Sequence, residues 1–261
     1  MSDSCVTPHT PLVEYDEAIR LLLEQASPLK VTESVTLADA TGRVLASQLI
    51  SPVNVPPLDN SAMDGYAMRS GDIEPGKPLP VSQRIPAGAV GTPLDNGTCA
   101  RIFTGAPLPP GADTVIMQEL ATEHPDNSVS FESTPPHGDN IRKAGEDIRA
   151  GDVILEPGTR IEPQHLGLAA SVGVSQIAVY RRLKVATFFS GDEIVEPGNP
   201  LGEGPIYNSN QYHLNALLQR FGCDVVNLGI VEDNLEATRA TMLEGARRAG
   251  LIVTSGGVSG G

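Results

Sequence analysis

The chain has 261 residues, 40% of them hydrophobic, and a formal net charge of −14. This suits two or three domains with real cores and makes a polyanion such as nucleic acid a poor partner. No apolar run approaches the roughly 20 residues of a membrane span and no basic segment leads into an apolar one at the N-terminus. Cys5, Cys99 and Cys223 are too few and too scattered for a disulfide framework or a zinc site, so reduced thiols in a cytoplasmic protein are expected.

Tyr15, Ala18, Ile19, Leu22, Leu23 and Ala26 recur at helical spacing and predict one amphipathic helix, used for packing. The run Pro56-Pro57-Leu58-Asp59-Asn60-Ser61-Ala62-Met63-Asp64-Gly65-Tyr66-Ala67 then gathers carboxylates, an amide and a hydroxyl without a helix or strand pattern. Two prolines stiffen its entry, so its polar groups can be held with little entropy left to lose. Preorganised acids suit a cation or a reacting group. The plainer alternative is an Asx turn at Asp59-Asn60 and a tight turn at Asp64-Gly65.

Between about Ser51 and Gly145, short β-prone runs such as Thr114-Val115-Ile116-Met117 alternate with Pro and Gly, predicting a small all-β domain. Within it the segment from Asn140 to Arg149 interleaves cations and carboxylates. It reads equally as local help for an anionic substrate or as a solvated charged turn. A helix from Gln164 to Val172, closed by Gly173, resembles the N-terminal helical region, so the β domain reads as an insertion into an elongated helical one.

From Leu183 onward the order is strand, helix, strand, helix, strand: Leu183 to Phe189, a helix after Asn208-Ser209-Asn210, Asp224 to Leu228, a helix near Asp233-Asn234-Leu235-Glu236, and Leu251 to Thr254. That order predicts a doubly wound parallel α/β sheet, whose ligands bind outside the carboxyl ends of the strands. Those ends run into Ser190-Gly191-Asp192-Glu193, Gly229-Ile230-Val231-Glu232-Asp233 and Ser255-Gly256-Gly257-Val258-Ser259-Gly260-Gly261. Glycines let backbone N–H groups approach a phosphate, and carboxylates suit a hard cation such as Mg²⁺. A helix cap at Asp233 and a turn at Gly191-Asp192 explain each loop singly, so their convergence carries the reading. The chain stops straight after a buried-looking strand, which is expected of a piece of a longer protein.

The motifs Asp59-Asn60-Ser61-Ala62-Met63-Asp64-Gly65-Tyr66-Ala67, Arg101-Ile102-Phe103-Thr104-Gly105-Ala106-Pro107 and Ile141-Arg142-Lys143-Ala144-Gly145-Glu146-Asp147-Ile148 occur in this order. Ser190-Gly191-Asp192-Glu193, Leu228-Gly229-Ile230 and Ser255-Gly256-Gly257-Val258-Ser259 follow. Together the six resemble the molybdopterin molybdenumtransferases, that is the MoeA proteins and the related E domain of gephyrin, over nearly the whole chain. The resemblance implies a multidomain α+β and α/β fold. Its parts are an elongated helical domain (residues 1–50 with 147–181), an inserted β domain (51–146), the first part of a molybdopterin-binding-like α/β domain (182–261), and a C-terminal β-barrel absent here.

It implies insertion of molybdate into adenylylated molybdopterin with release of AMP, Mg²⁺ as cofactor, and head-to-tail homodimers. The active cleft would lie between the α/β domain of one subunit and the inserted domain of the other, and the molybdopterin adenylyltransferase would supply the substrate. Carried over by position, Asp64, Thr104, Asp147, Glu193 and Asp233 are the implied catalytic residues, with Glu193, Asp64 and Asp233 as metal ligands. Arg142, Lys143, Ser190, Gly191, Asp192, Ser255, Gly256 and Gly257 are the implied substrate contacts.

Two positions depart from the family pattern. Phe189 stands where a hydroxyl is usual, and Gly260 where Val is more frequent. A gephyrin-like scaffold and a degenerate pterin- or nucleotide-binding relative are the alternatives, the second motivated by Phe189.

Overall fold

A computed structural model describes residues 13–27 and 29–255, so Cys5, Gly256, Gly257 and Gly260 lie outside the described residues. Two compact units divide the chain, one of residues 34–179 and the other of the residues on either side of it. Helix α1 (Tyr15–Gln25) forms where the periodicity predicts it, yet it buries none of its residues. Tyr15 is 76% exposed and Leu22 and Leu23 68% each, so its apolar stripe is uncovered among the described residues, contrary to the packing role expected.

In chain order the first unit is built from β1 (Thr32–Thr36), β2 (Leu49–Ile50), β3 (Asn60–Ser61), β4 (Gly65–Met68), β5 (Leu79–Ile85), β6 (Cys99–Ile102) and β7 (Thr114–Met117). It continues with β8 (Ala121–Glu123), β9 (Ser128–Phe131), β10 (Ile141–Arg142), β11 (Val153–Leu155), α2 (Pro163–Ser171) and β12 (Gln176–Tyr180). Six strands form one sheet in the order β7-β4-β6-β5-β9-β8. Its two edges, β7 and β8, are consecutive in sequence, joined only by the 3₁₀ turn Gln118–Leu120. Three residues cannot span an open sheet, so the sheet must curl until its edges approach.

Side-chain alternation gives this barrel two cores. Tyr66, Met68, Ile116, Val129 and Phe131 pack on one face, while Ala67, Ala100, Ile102 and Val115 pack on the other. A third core of Ala40, Leu45, Leu155, Ile161, Ile177 and Val179 joins the segments that precede and follow the barrel. The pairs β1–β12 and β2–β11 tie the same segments together, so the region flanking the inserted barrel holds strands as well as helix. α2 begins with Pro163 at its first position and the Glu162 N–H donating to His165 Nδ1 at 3.0 Å. It ends before Gly173, whose φ of 79° suits a glycine cap, as predicted.

Cys99 is fully buried between β4 and β5, and desolvation pushes its thiol up to about 12. Native protein treated with iodoacetamide at neutral pH should therefore carry no adduct on Cys99, and peptide mapping should find one there only after unfolding.

The second unit holds α1 with β13 (Lys184–Ser190), β14 (Ile194–Val195), β15 (Ile206–Tyr207), α3 (Ser209–Arg220), β16 (Asp224–Val231), α4 (Leu235–Arg248) and β17 (Leu251–Ser255). β13 runs parallel to both neighbours in the order β16-β13-β17, and its residues 185–189 are all buried, as a strand covered on both faces requires. The strand expected to end at Leu228 instead runs on to Val231. Gly229, at φ 80°, sits in a bulge where the register with β13 shifts, so this glycine bends the strand rather than ending it.

Candidate active site

Three motifs that are far apart in sequence fold onto one another in the first unit. β3 pairs antiparallel with β10, setting Asn60 opposite Arg142 and Ser61 opposite Ile141. The third motif joins through Gly105 N–H to Ser61 O at 2.8 Å, Ser61 N–H to Ala106 O at 3.0 Å and Leu108 N–H to Asp59 O at 2.9 Å. Backbone pairing from both sides thus holds the Pro56–Ala67 loop, where turn chemistry alone was the plainer expectation. Asn60 Oδ1 is buried with no hydrogen-bond partner, so the loop is held in a shape its own polar groups do not fully satisfy.

Asp64 projects from this loop toward Thr104. Its Oδ1 accepts the Thr104 backbone N–H at 2.8 Å and the Thr104 hydroxyl at 2.7 Å. Those two donors, with a smaller contribution from the Arg101 charge, hold the Asp64 carboxyl below the usual carboxylate range. The acid is therefore ionised at neutral pH and aimed by fixed donors. Gly65, expected in a tight turn, opens β4 instead: a Cβ there would stand 1.9 Å from Ile116 O, so a strand contact and not a turn requires glycine.

Asp59 has a role that its sequence gave no sign of. Its Oδ1 accepts the Ala144 N–H at 2.8 Å and its Oδ2 the Lys143 ammonium at 2.9 Å. The Ala144 N–H and then Lys143 lower its carboxyl pKa. Asp59 is a clamp between two loops more than eighty residues apart, and no local pattern could reveal such a partner. Arg142 Nη2 donates to Asp147 Oδ2 at 2.6 Å and its Nε lies 3.7 Å from Glu146 Oε1. The two expected anion-binding cations are thus both ion-paired within the cluster.

The Asp59 clamp has a pH signature. Its pKa is lower folded than unfolded, so its contribution is complete above the ordinary carboxylate value near 4 and is lost as pH falls through the folded value. Asp59 is partly exposed, so screening limits the contribution to about 1 kcal/mol. The melting temperature of Asp59→Asn should lie below that of the wild type at pH 7, and the gap should close as pH falls below about 4. A gap constant from pH 7 to pH 3 would remove the clamp.

The second unit carries the other predicted residues at the carboxyl ends of its parallel strands. Ser190 closes β13, Gly191, Asp192 and Glu193 follow it, Asp233 comes two residues after β16, and Ser255 closes β17. Asp192 Oδ1 accepts the Asp233 N–H at 3.2 Å, and the Asn210 amide donates to Ser255 Oγ at 3.0 Å. The α4 cap is Asn234, whose Oδ1 accepts the Ala237 N–H at 2.8 Å, so Asp233 is not spent on capping. Glu193 folds back until its Oε2 stands 2.7 Å from where a Cβ on Gly191 would sit. Phe189 is 1% exposed, and its ring packs within the core of the sheet.

Asp64, Thr104 and Asp147 lie in one unit and Glu193 and Asp233 in the other. Among the described residues no three His, Cys, Asp or Glu side chains converge as a metal cage. A parallel α/β sheet with acids and hydroxyls at its strand ends, and an inserted β-barrel presenting an aimed carboxylate, define a multidomain α+β protein with oxygen-rich loops.

Residues 13–173 match the family described as the MoeA N-terminal region (domain I and II), and residues 186–261 match a probable molybdopterin binding domain. The chain belongs to the MoeA family. It is 40% identical over 254 residues to a molybdopterin molybdenumtransferase of Haemophilus influenzae, covering 96% of this chain and 62% of that protein. With a protein of the same name from a Nostoc species it shares 38% over 263 residues, 97% of this chain and 60% of the relative. A MoeA crystal structure from Pyrococcus horikoshii superposes with a TM-score of 0.88 at 31% identity, over 95% of this chain and 68% of that one. The chain thus spans about three fifths of the length of the curated relatives it matches.

Proposed function

We propose that the protein performs the insertion step of molybdenum-cofactor synthesis, in which molybdate enters the dithiolene of adenylylated molybdopterin and AMP is released. The observation that supports this most is the folding of three separate motifs into one cluster, with Asp64 held ionised by Thr104. The relatives' shared name, molybdopterin molybdenumtransferase, supplies the reaction.

In this reading Asp64 and Thr104 orient the reacting group, and Asp147 steadies Arg142. Arg142 and Lys143 face the oxyanions. Their present ion pairs are exposed and weak, so an incoming dianion can exchange for them. Ser190, Asp192 and Ser255 line the strand ends where the pterin nucleotide would lie. Mg²⁺ would suit carboxylate donors of this kind, since the ion usually takes one or two carboxylates and completes its shell with water and substrate phosphates. Glu193, Asp64 and Asp233, the ligands implied by the resemblance, are carboxylates of that kind. When bound, Mg²⁺ neutralises charge on the phosphate oxygens.

The protein would act in the cytoplasm as a homodimer, taking its substrate from the molybdopterin adenylyltransferase. The uncovered apolar stripe of α1 supports a self-association surface, and no described helix is long and apolar enough to cross a membrane. Phe189 packs inside the sheet, which favours the transferase over a degenerate relative. Expressed in a host lacking its own transferase, the full gene product is expected to restore molybdoenzyme activity. Expression of folded protein without restoration would contradict the assignment.

A further inference from the structure

We propose that the barrel face carrying Arg84 and Arg101 is a binding site for a small tetrahedral oxyanion of the phosphate class. The inference does not rest on the molybdenum reading, although Arg101 is shared with the surroundings of Asp64. It occupies a cavity of about 240 Å³ whose polar lining includes Arg84, Arg101, Glu123, His124 and Asn127.

β5 and β6 run parallel with Arg84 directly opposite Arg101, a like-charged cross-strand pair that repels itself when nothing lies between the charges. One ring holds both guanidiniums: Arg84 Cζ is 4.5 Å and Arg101 Cζ 4.6 Å from the Phe103 centroid. Arg101 is fixed further by its Nη1, which donates to Gly65 O at 2.8 Å and Ile102 O at 3.1 Å, and by Nη2, which donates to the Gln118 side-chain oxygen.

Neither arginine has a carboxylate within ion-pairing distance among the described residues, whereas Arg69, Arg142 and Arg247 each have at least one. The nearby acid is otherwise engaged, since Glu123 Oε1 accepts the Tyr66 hydroxyl at 2.6 Å. Two arginines against one glutamate leave the lining at net +1 in a chain of net −14. A planar guanidinium presents paired donors that match two oxygens of a phosphate, and stacking on an aromatic ring fixes its plane beforehand. Arg84 carries the free fork, Arg101 the fixed second charge, and His124, whose Nε2 is engaged with Ser130 Oγ at 2.9 Å, closes the rim.

The test is calorimetric titration of the purified chain with two probes, inorganic phosphate and phenyl phosphate. Saturable binding is expected, weakened at least about tenfold in Arg84→Gln, partly recovered in Arg84→Lys, and unchanged in the control Arg220→Gln, which lies in the other unit. Arg84 is exposed, so the variant should melt at the wild-type temperature. Tighter binding of phenyl phosphate would identify an esterified phosphate as the ligand, and equal binding a free oxyanion; either result supports the site. No saturation by either probe, or identical binding in Arg84→Gln, would overturn it.

Discussion

Replacing Gly65 by alanine is expected to destabilise the first unit by roughly 3–5 kcal/mol, at or above the upper end of overpacking effects. The added Cβ would stand 1.9 Å from Ile116 O, 2.9 Å from Ile116 C and 3.1 Å from Met117 Cα, all of them backbone atoms. No rotamer change relieves such a contact, so β7 must move away from β4. Gly65 pairs with Met117 on one side and Ile102 on the other, and β4 is buried along its whole length. The barrel therefore has no slack with which to absorb the shift. A folded stability of 5–15 kcal/mol makes this a large fraction of the total.

The damage would reach the site as well, because the Gln118 N–H that holds Asp64 O at 3.0 Å follows directly on β7. Urea unfolding of Gly65→Ala beside Gly71→Ala checks the idea. Nothing lies within 4 Å of a Cβ on Gly71, and that variant should lose no more than about 1 kcal/mol. Equal losses in the two would contradict the close-approach account.

Asp64→Asn should cost roughly 10²–10⁴ in the rate of AMP release with at most a small fall in melting temperature at pH 7, the rate loss being the range expected when a positioned catalytic acid or base is removed. The amide oxygen can still accept both donors from Thr104, so the loop keeps its shape and only the charge is lost. Thr104→Val offers a finer probe, because it removes the hydroxyl donor and keeps the stronger backbone one. The Asp64 pKa should then rise part of the way toward its ordinary value. The acid limb of the pH–rate profile should move to higher pH, since the carboxylate is protonated sooner as pH falls. An unmoved acid limb would mean that Asp64 does not titrate in the rate-determining step.

Much of the architecture could be read locally. The helix from Pro163 to Ser171 with its Gly173 stop and the strand Thr114–Met117 follow from patterns spanning fewer than a dozen or so residues, and the parallel sheet of the second unit from the alternation of its strands and helices. What escaped depends on partners distant in sequence. The barrel's closure rests on β7 and β8 being opposite edges of one sheet, which no single strand announces. Gly65 looked like a turn glycine because the Ile116 carbonyl that excludes a side chain lies about fifty residues away. Gly229 looked like a strand terminator, yet a positive φ inside a ladder makes a bulge as readily as an end.

The site shows the same division. Asp64 stood out as an acid in a stiffened loop, whereas Asp59 passed for a turn residue although it carries the tie between two motifs. The apolar stripe of α1 predicted a helix correctly, but periodicity says only that a face is apolar, not what covers it.

The central claim is that these loops serve molybdate insertion. Supplying the full gene product with adenylylated molybdopterin, molybdate and Mg²⁺, and measuring AMP released against molybdenum bound to pterin, tests it most directly. The account predicts molybdate-dependent AMP in step with the molybdenum inserted, and almost none from Asp64→Asn at equal protein concentration. AMP release that ignores molybdate, or that proceeds at the wild-type rate in Asp64→Asn, would contradict it.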